Sequence, residues 1–379
     1  MNLLIQQAVQ DRASDIHVEP QERELRIRYR VDGVLHEVMR PPRTIQSGVV
    51  SRLKIMADLD IAERRVPQDG RVALTVGGRS VDLRVATLPT VYGEKVVMRI
   101  LDKSAVLLTL PELGFSAANF ERFQAGARKP YGMLLVTGPT GSGKSTTLYA
   151  TLNSLNEAGR NIVTIEDPVE YRLAGINQVQ VNAKAGLTFA AALRSILRCD
   201  PDIVLIGEIR DTETARIAVE SALTGHLVLA TLHTNDAPSS ITRLTEMGLE
   251  PFLVASAVDC VLAQRLARRL CDKCREPYRP SDGALAEAGW RGAEPDGGLE
   301  LYRAVGCAAC GKTGYRGRLA LHEVMAVTEE VERLCVERRS SNEIAELAGT
   351  QGMTRLRQDG LAKAVLGDTS VEEVMRVVV

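Results

Sequence analysis

Aromatic side chains are scarce in this chain, and its charges nearly cancel. Phe, Trp and Tyr make up 4% of the 379 residues, and the formal net charge is −1 at pH 7. Proteins that bind single strands need aromatic stacking platforms beside a positive groove, and duplex binders carry a basic surface. The composition shows neither signal, so we predict no nucleic-acid partner.

Long apolar runs and a recognisable signal peptide are missing as well. No window approaches the ~18–20 uninterrupted apolar residues of a membrane helix, and the opening segment MNLLIQQAVQDRASD has no charged n-region or cleavage site. We therefore predict a cytosolic protein without direct membrane insertion, which reaches a membrane only through partners. Its seven cysteines are then expected to be reduced thiols or metal ligands, not disulfides.

The first hundred residues have the pattern of a mixed domain. Apolar and polar residues alternate on both sides of Asp32-Gly33, which is a strong hairpin signal. We predict an N-terminal α+β domain of PAS-like type over residues 1–103. The pattern loosens over residues 104–130, which we interpret as a linker and the start of the next domain.

From residue 131 onward, buried strands alternate with helical stretches. Four continuous apolar runs are typical of parallel strands: MLLVTG (133–138), NIVTIED (161–167), DIVLIGEIRD (202–211) and HLVLATLHT (226–234). We predict an α/β fold whose ATPase core is a RecA-like doubly wound sheet over 131–269. A cysteine-bearing insert over 270–316 and a C-terminal helical region over 317–379 complete the predicted organisation.

The first of these runs leads into a phosphate-binding loop. GPTGSGKS matches G-x-x-x-x-G-K-[ST] in full and stands between a predicted strand and a predicted helix. Its glycines let backbone N–H groups surround a phosphate, and the helix N-terminus adds partial positive charge. Lys144 is expected to reach the β and γ phosphates of ATP, and the Ser145 hydroxyl to bind Mg²⁺. The predicted nucleotide-binding residues are Gly138, Pro139, Thr140, Gly141, Ser142, Gly143, Lys144, Ser145 and Thr146.

Carboxylates follow two of the other strands. Glu208, after DIVLIG, is the Walker B candidate that would hold Mg²⁺ or its waters. Glu166, Asp167 and Glu170, in TIEDPVEY, could polarise the attacking water, because phosphoryl transfer depends mostly on positioning and charge stabilisation. Strand-end carboxylates also cap helices or pair with arginines, an alternative that can hold for one or two of the four.

Two histidines flank the fourth strand, and the residues alone leave their roles open. A lone histidine beside an apolar strand is more often structural. His226 and His233, however, follow Thr224-Gly225 within a nucleotide-binding domain. A γ-phosphate sensor is therefore an equal alternative.

Two CxxC pairs predict a metal site. Cys271 and Cys274 are separated from Cys307 and Cys310 by 32 residues, and four thiolates can surround Zn²⁺ at ~2.3 Å. The intervening segment is longer than the usual ~15–20 residues of such modules, so a finger that reads nucleic acid does not follow. We predict a closed structural zinc site, and expect the lone cysteines to be core residues: Cys199, Cys260 and Cys335.

Together these motifs resemble the secretion ATPase family, most closely the type II secretion ATPases and next the type IV pilus assembly ATPases. The resemblance covers nearly the whole chain and is carried by SDIHVEP (14–20), RVDG (30–33), RVPQDGR (65–71), the phosphate loop, TIEDPVEY (164–171), LRCDPDIVLIGEIRD (197–211) and LTGHLVLATLHTNDA (223–237). The tetracysteine module favours the type II members. The resemblance implies a homohexameric motor that couples Mg-ATP hydrolysis to pseudopilus assembly and protein export.

The resemblance also assigns roles to single residues. Glu208 is similar to the Walker B glutamate, Glu170 to the proposed general base with Glu166 beside it, and His233 to the γ-phosphate contact. Arginines of the N-terminal domain reach the nucleotide across the ring in this family, and Arg84 and Arg99 occupy the matching positions. Further residues expected near the nucleotide are Asp167, Arg194, Arg198, Arg210 and His226.

Two departures from the family pattern concern Cys199 and the start of the chain. Cys199 stands where a polar residue is usual, and we expect only a small local change from it. The chain begins at the domain that carries SDIHVEP, whereas such ATPases usually dock through a further N-terminal domain. Inner-membrane platform proteins (GspL-like and GspF-like) are the implied partners, although docking through that domain is not expected of this chain.

Two other classes of function remain as alternatives. A nucleotide-gated scaffold would bind ATP without useful turnover, but the intact carboxylates at both strand ends argue against it. A nucleic-acid translocase could also combine a RecA-like core with a zinc module. The near-neutral net charge of this chain and its few aromatic residues argue against a translocase.

Overall fold

A computed structural model describes residues 2–102, 108–281, 287–290 and 299–378 of the chain. The chain divides into two compact units, Met1–Val106 and Leu107–Val379. Each unit has its own sheet and its own buried core.

The first unit is a six-stranded antiparallel sheet in the order β3-β2-β1-β6-β5-β4, with two helices. Its Asp32-Gly33 hairpin is confirmed, because both residues have positive φ (48° and 84°) between paired strands. The elements are α1 (Asn2–Gln10), β1 (Ala13–Pro20), β2 (Leu25–Val31), β3 (Val34–Met39), a 3₁₀ turn (Arg43–Ile45), α2 (Gln46–Met56), β4 (Gln68–Val76), β5 (Arg79–Thr90) and β6 (Gly93–Asp102).

Alternation along the strands gives this sheet one apolar face and one charged face. Ile16 and Val18 of β1 are buried with helix residues such as Ile5 and Leu53 in one core cluster. Because successive side chains of a strand point to opposite faces, the residues between them lie on the other face. That face carries Arg84 and Arg99.

The second unit is built on a seven-stranded sheet in the order β15-β12-β7-β11-β10-β8-β9. The four predicted apolar runs form β7, β8, β10 and β11. Wherever two of these four strands are adjacent in the sheet, they run parallel. This confirms the predicted α/β fold with a parallel core. The elements up to the cysteine segment are a 3₁₀ turn (Leu110–Leu113), α3 (Ala117–Ala127), β7 (Gly132–Thr137), α4 (Lys144–Leu155), β8 (Ile162–Glu166), β9 (Asn177–Gln180), a 3₁₀ turn (Ala183–Ala185), α5 (Phe189–Ile196), β10 (Ile203–Ile206), α6 (Thr212–Leu223), β11 (Leu227–Leu232), α7 (Pro238–Glu246), α8 (Pro251–Ala257) and β12 (Val258–Leu270).

The cysteine segment and the C-terminal part follow β12. A two-stranded antiparallel sheet, β13 with β14, lies between the two CxxC pairs, and residues 282–286 and 291–298 of the predicted insert fall outside the described residues. The elements are β13 (Glu276–Tyr278), β14 (Leu301–Arg303), a 3₁₀ turn (Ala308–Cys310), β15 (Tyr315–Ala326), α9 (Glu329–Val336), α10 (Ser341–Thr350), α11 (Leu356–Val365) and α12 (Val371–Val377).

The segment predicted as a linker and the start of the next domain contains a helix of the core. α3 begins after Ser116, whose side chain accepts a hydrogen bond from the Asn119 N–H, and it buries Phe123. Asn119 also donates to the carbonyl oxygen of His322 on β15 at 3.1 Å. Residues 117–127 therefore belong to the second unit, as the start of its domain and not as a linker, and the buried residues of α3 pack against the sheet.

The C-terminal region does not begin as a helix. Residues 315–326 form β15, which pairs antiparallel with β12, and the helices start at Glu329. The prediction of a helical region over 317–379 is therefore wrong for its first ten residues. Within the described residues, no helix combines the length and the apolar character required to cross a bilayer.

Candidate functional site

The carboxyl ends of four parallel strands bring the predicted nucleotide residues to one edge of the sheet. The phosphate loop follows β7, Asp167 follows β8, Glu208 comes two residues after β10, and His233 follows β11. Ligands of open α/β sheets bind at this edge. The topology therefore gathers segments that lie up to about a hundred residues apart in sequence.

Close approach of β12 explains the glycines of the phosphate loop. A Cβ at Gly138 (φ 147°) would lie 2.4 Å from the carbonyl oxygen of Gln264, and one at Gly143 (φ 92°) would lie 2.7 Å from its Nε2. Gly143 is also the N-cap of α4. The loop backbone is thus held against β12, and the first N–H groups of α4, which have no partner within the helix, are available to an anion.

Lys144 is half-buried at the start of α4. Its Nζ donates to the carbonyl oxygens of Gly138 at 2.7 Å and of Pro139 at 3.1 Å. Burial lowers the pKa of this ammonium to about 8; nearby Glu208 opposes the shift, and Arg265 adds to it. A buried cation with only neutral hydrogen-bond partners is suited to binding a phosphate.

Glu208 is held between a histidine and an arginine. His233 Nε2 lies 2.9 Å from Glu208 Oε1, and Arg210 Nε donates to Glu208 Oε2 at 2.6 Å. Burial and the charge of Lys144 lower the pKa of His233, which favours the neutral ring at pH 7. A neutral ring in contact with a carboxylate must carry its proton on Nε2. Lys144, Glu208, Arg210 and His233 therefore form one electrostatic group.

Glu166 and Glu170, which the sequence could not separate, have different surroundings. Glu166 is 4% exposed; it accepts hydrogen bonds from Thr164 at 2.5 Å, from Gln178 at 3.2 Å and from the Tyr149 hydroxyl. Its carboxylate is thus occupied within the core, and the predicted catalytic role does not fit this geometry. Glu170 and Asp167 have exposed side chains, so they remain candidates to act on water.

His226 lies at the wrong edge of the sheet for its predicted role. It precedes β11, its carbonyl oxygen accepts from the N–H of Gly132 at the start of β7, and its ring contacts the Ser221 carbonyl oxygen at 3.0 Å. The phosphate loop follows the opposite end of β7, about 17 Å away at ~3.3 Å per residue. The structure therefore does not bring His226 to the phosphate loop, and its predicted contact with the nucleotide is not supported by this position.

Arg84 and Arg99 belong to the charged face of the first unit. They lie directly opposite each other on β5 and β6, and the same row continues to Arg71 on β4 and to Asp15 and Arg30 on β1 and β2. Arg99 Nε donates to Asp15 Oδ1 at 3.0 Å, and Arg30 lies 3.7 Å from the other carboxylate oxygen. The row therefore contains four arginines and one aspartate, which makes this part of the face predominantly positive.

Two further predicted arginines are exposed on the second unit. Arg194 pairs with Glu213, and Arg198 donates to Ser195 Oγ at 3.2 Å. Cys260 and Cys335 are buried as predicted, but Cys199 is exposed, so its prediction as a core residue is wrong. It lies three residues after the end of α5, and its thiol donates to the carbonyl oxygen of Ser195 at 3.4 Å.

β12 contributes residues that the sequence did not single out. Gln264 is buried, and its Oε1 accepts from Thr147 of α4 at 2.7 Å. Arg265 donates to the carbonyl oxygen and to Oδ1 of Asn235, at 3.0 and 3.1 Å. They lie about 120 residues after the phosphate loop, and the sequence has no local signal for this contact.

The four predicted zinc ligands come together. Their sulfur atoms all lie within 4.8 Å of one another, and three of the separations are 3.8–3.9 Å. A tetrahedron with metal–sulfur bonds of ~2.3 Å has edges of about 3.8 Å. Burial opposes ionisation of Cys310, but N–H groups of Cys307 and Gly314 donate to its sulfur and lower the pKa of the thiol. The cluster therefore fits a four-coordinate metal ion.

Comparison with known proteins agrees with this geometry. Residues 1–376 match the family described as Type II/IV secretion system protein. The chain is 54% identical over 379 residues to the type IV pilus assembly ATPase PilB of Myxococcus xanthus, covering 99% of this chain and 66% of that protein. It is 52% identical over 377 residues to the type II secretion system protein E of Dickeya dadantii. The type II secretion system ATPase E of Vibrio cholerae is also 52% identical, over 385 residues.

The match covers 100% of this chain and 74% of each of the two type II proteins, so the chain spans two thirds to three quarters of these relatives. It belongs to the Type II/IV secretion system protein family and is a P-loop ATPase of that family.

Solved structures show the same fold. The crystal structure of the pilus retraction motor PilT with bound ADP matches with a TM-score of 0.64 at 24% identity, covering 99% of this chain and 96% of that one. The ATPase DotB of Yersinia pseudotuberculosis matches with a TM-score of 0.71 at 20% identity, covering 99% and 92%. At these identities the likeness concerns the fold alone.

Proposed function

We propose that this chain is the Mg-ATP-hydrolysing motor of a type II secretion system. In this proposal it acts as a homohexamer at the cytoplasmic side of the inner membrane and drives pseudopilus assembly and protein export. The observation that carries the hydrolytic function is the group formed by Lys144, Glu208, Arg210 and His233 beside the phosphate loop, and the role in secretion is supported by the similarity to the type II proteins. Binding of phosphate needs the loop alone, whereas hydrolysis needs the carboxylates.

The first-turn amides of α4 and Lys144 would hold the β and γ phosphates. Ser145 and Glu208 would hold Mg²⁺, for which hydroxyl and carboxylate oxygens are suitable hard ligands. The ion, when bound, neutralises charge that develops on the phosphate oxygens. His233 would sense the γ-phosphate while it contacts Glu208, and Arg210 would fix the second oxygen of that carboxylate.

Glu170 is our candidate for the general base. Its side chain is exposed, whereas that of Glu166 is occupied inside the core. Glu170 would accept the proton of the attacking water as the bond to the γ-phosphorus forms, while ADP leaves. Asp167 would support the water or the ion from the same loop.

Arg84 and Arg99 would act on the nucleotide of a neighbouring subunit. The arginine row to which they belong supports this proposal, because its excess of positive charge suits a triphosphate. An arginine supplied in trans can raise turnover by about 10³–10⁵. Hydrolysis would then require assembly of the ring.

The four-cysteine cluster would hold a structural zinc ion, closed by four sulfurs with no position open to substrate. The partners in this proposal are inner-membrane platform proteins (GspL-like and GspF-like), and contact with the membrane would pass through them. A type IV pilus assembly ATPase is the second candidate, favoured by the 54% identity to the Myxococcus xanthus protein.

Phosphate release tests the proposal. Lys144→Ala, Glu208→Gln and Arg84→Ala should each abolish hydrolysis by the full chain, and turnover per chain should rise with protein concentration as rings assemble. Sedimentation at the same concentrations should show the matching oligomers. Turnover that stays constant on dilution to monomers would exclude action in trans, and full activity of Glu208→Gln would exclude the assigned site.

A further inference from the structure

The loop from His233 to Ala237 carries the histidine that contacts Glu208, and it is anchored at several points. The Thr234 N–H donates to Thr137 Oγ1 at 2.8 Å, which ties the loop to the end of β7. The Ala237 N–H donates to the buried carboxylate of Glu323 on β15 at 2.9 Å. Asn235 lies between these anchors.

Arg265 of β12 is the residue that holds Asn235. Its Nη2 donates to the Asn235 carbonyl oxygen at 3.0 Å and to Oδ1 at 3.1 Å, and its Nη1 donates to the carbonyl oxygen of Gln264 at 3.2 Å. One guanidinium therefore fixes both the backbone and the side chain of Asn235. The two terminal nitrogens of a planar guanidinium reach Asn235 and Gln264 at the same time, whereas a lysine has one compact ammonium at the end of a flexible chain.

The same strand also supports the phosphate loop. The Gln264 carbonyl oxygen lies 2.4 Å from the position that a Cβ of Gly138 would take, and the Gln264 side chain contacts Thr147 of α4. Because Arg265 follows Gln264 directly, its side chain points to the other face of the strand. β12 thus contacts the phosphate loop with one residue and the His233 loop with the next.

The charge surroundings of Arg265 indicate a geometric role. Within the described part of the chain it has no carboxylate within ion-pair distance, and its hydrogen bonds all go to carbonyl and amide oxygens. Burial lowers its pKa, although Glu323 and Asp236 oppose the shift from a greater distance. A half-buried arginine bound to neutral groups acts mainly by fixing the positions of the groups to which it donates, and not by forming an ion pair.

We propose that Arg265 is a positioning residue for ATP hydrolysis, which holds Asn235 and thereby keeps His233 beside Glu208 in register with the phosphate loop. This inference rests on the proposed hydrolytic function of the same site. Since Thr137 and Glu323 anchor the loop independently, loss of Arg265 should shift the loop without unfolding the domain.

Enzyme kinetics on the full chain tests the inference. Arg265→Lys keeps the charge but loses the fork, so kcat should fall about tenfold to a hundredfold, the cost of an ångström-scale misplacement, while KM for Mg-ATP stays within about twofold of wild type. Asn235→Ala should show the same loss, and the double variant no further loss. Arg269→Gln is the matched control, because Arg269 is exposed on the same strand, 3.5 Å from Asp368; it should keep wild-type turnover.

Amide hydrogen exchange provides a readout that does not depend on turnover. Exchange of residues 234–237 should rise in Arg265→Lys and Arg265→Gln but not in Arg269→Gln, with equal melting temperatures throughout. Wild-type kcat in both Arg265 variants, losses that multiply in the double variant, or an unchanged exchange pattern would each overturn the inference. Loss of activity confined to KM would overturn it as well. Full activity of Lys144→Ala would instead overturn the proposed function, which keeps the two failures distinct.

Discussion

Nucleotide affinity should weaken as the pH rises through 8, because of the environment of Lys144. Burial lowers the pKa of its ammonium to about 8, so the free protein loses this charge well below the usual range for lysine. The phosphates of a bound nucleotide stabilise the charged form of Lys144. The cation that binds them is therefore fully present below pH 7 and is lost progressively above pH 8.

The size of the effect follows from the charged fraction. With a pKa of about 8, roughly nine-tenths of the lysines are charged at pH 7 and about 3% at pH 9.5. If the bound complex keeps the proton, the dissociation constant for ATP should rise about 30-fold over that interval, and about tenfold per pH unit at its upper end.

A fluorescent ATP analogue, titrated at constant ionic strength, measures this dependence. Lys144→Arg is the control, because a guanidinium remains charged throughout the range; its weaker affinity should be nearly independent of pH between 7 and 9. An affinity of the wild-type protein that stays constant up to pH 9.5 would refute the burial argument. An equal slope in the arginine variant would assign the effect to another group.

Three further predictions concern other parts of the second unit. Glu166→Gln should lower the free energy of unfolding, measured by urea denaturation, by about 1–3 kcal/mol. Glu170→Gln should instead lower kcat at least a hundredfold without loss of stability. The reverse pattern would contradict the distinction drawn from the burial of Glu166. Gly138→Ala should abolish binding of the ATP analogue, since its Cβ would lie 2.4 Å from a backbone oxygen of β12; wild-type affinity would show that the loop tolerates a shift. One zinc ion per chain should appear by metal analysis and disappear in Cys271→Ser, with a lower melting temperature; metal-free protein of wild-type stability would exclude a structural zinc site.

Local features of the nucleotide site could be predicted from the sequence. The phosphate loop is contiguous with its strand and helix. The apolar strand, the glycines and Lys144 therefore form one recognisable pattern within about twelve residues. Continuous apolar runs likewise identified the four central strands. The two CxxC pairs could be predicted to meet, because a soft metal ion is the common reason for that spacing.

Features that depend on long-range packing could not be predicted. The strand β15 was assigned wrongly as part of a helical region, because it is defined by its pairing with β12, which lies far from it in sequence. The same holds for Arg265, whose partner Asn235 is distant in sequence. No local pattern contains that information.

The sequence by itself therefore determined that this protein binds a nucleotide and which residues are able to act on it. The tertiary structure decided which of them face the site. His226 and His233 are equivalent in the sequence, but a parallel strand carries its two ends to opposite edges of the sheet, so only His233 meets Glu208. Glu166 and Glu170 are separated in the same way, because strand β8 ends at Glu166, where its side chain turns into the core.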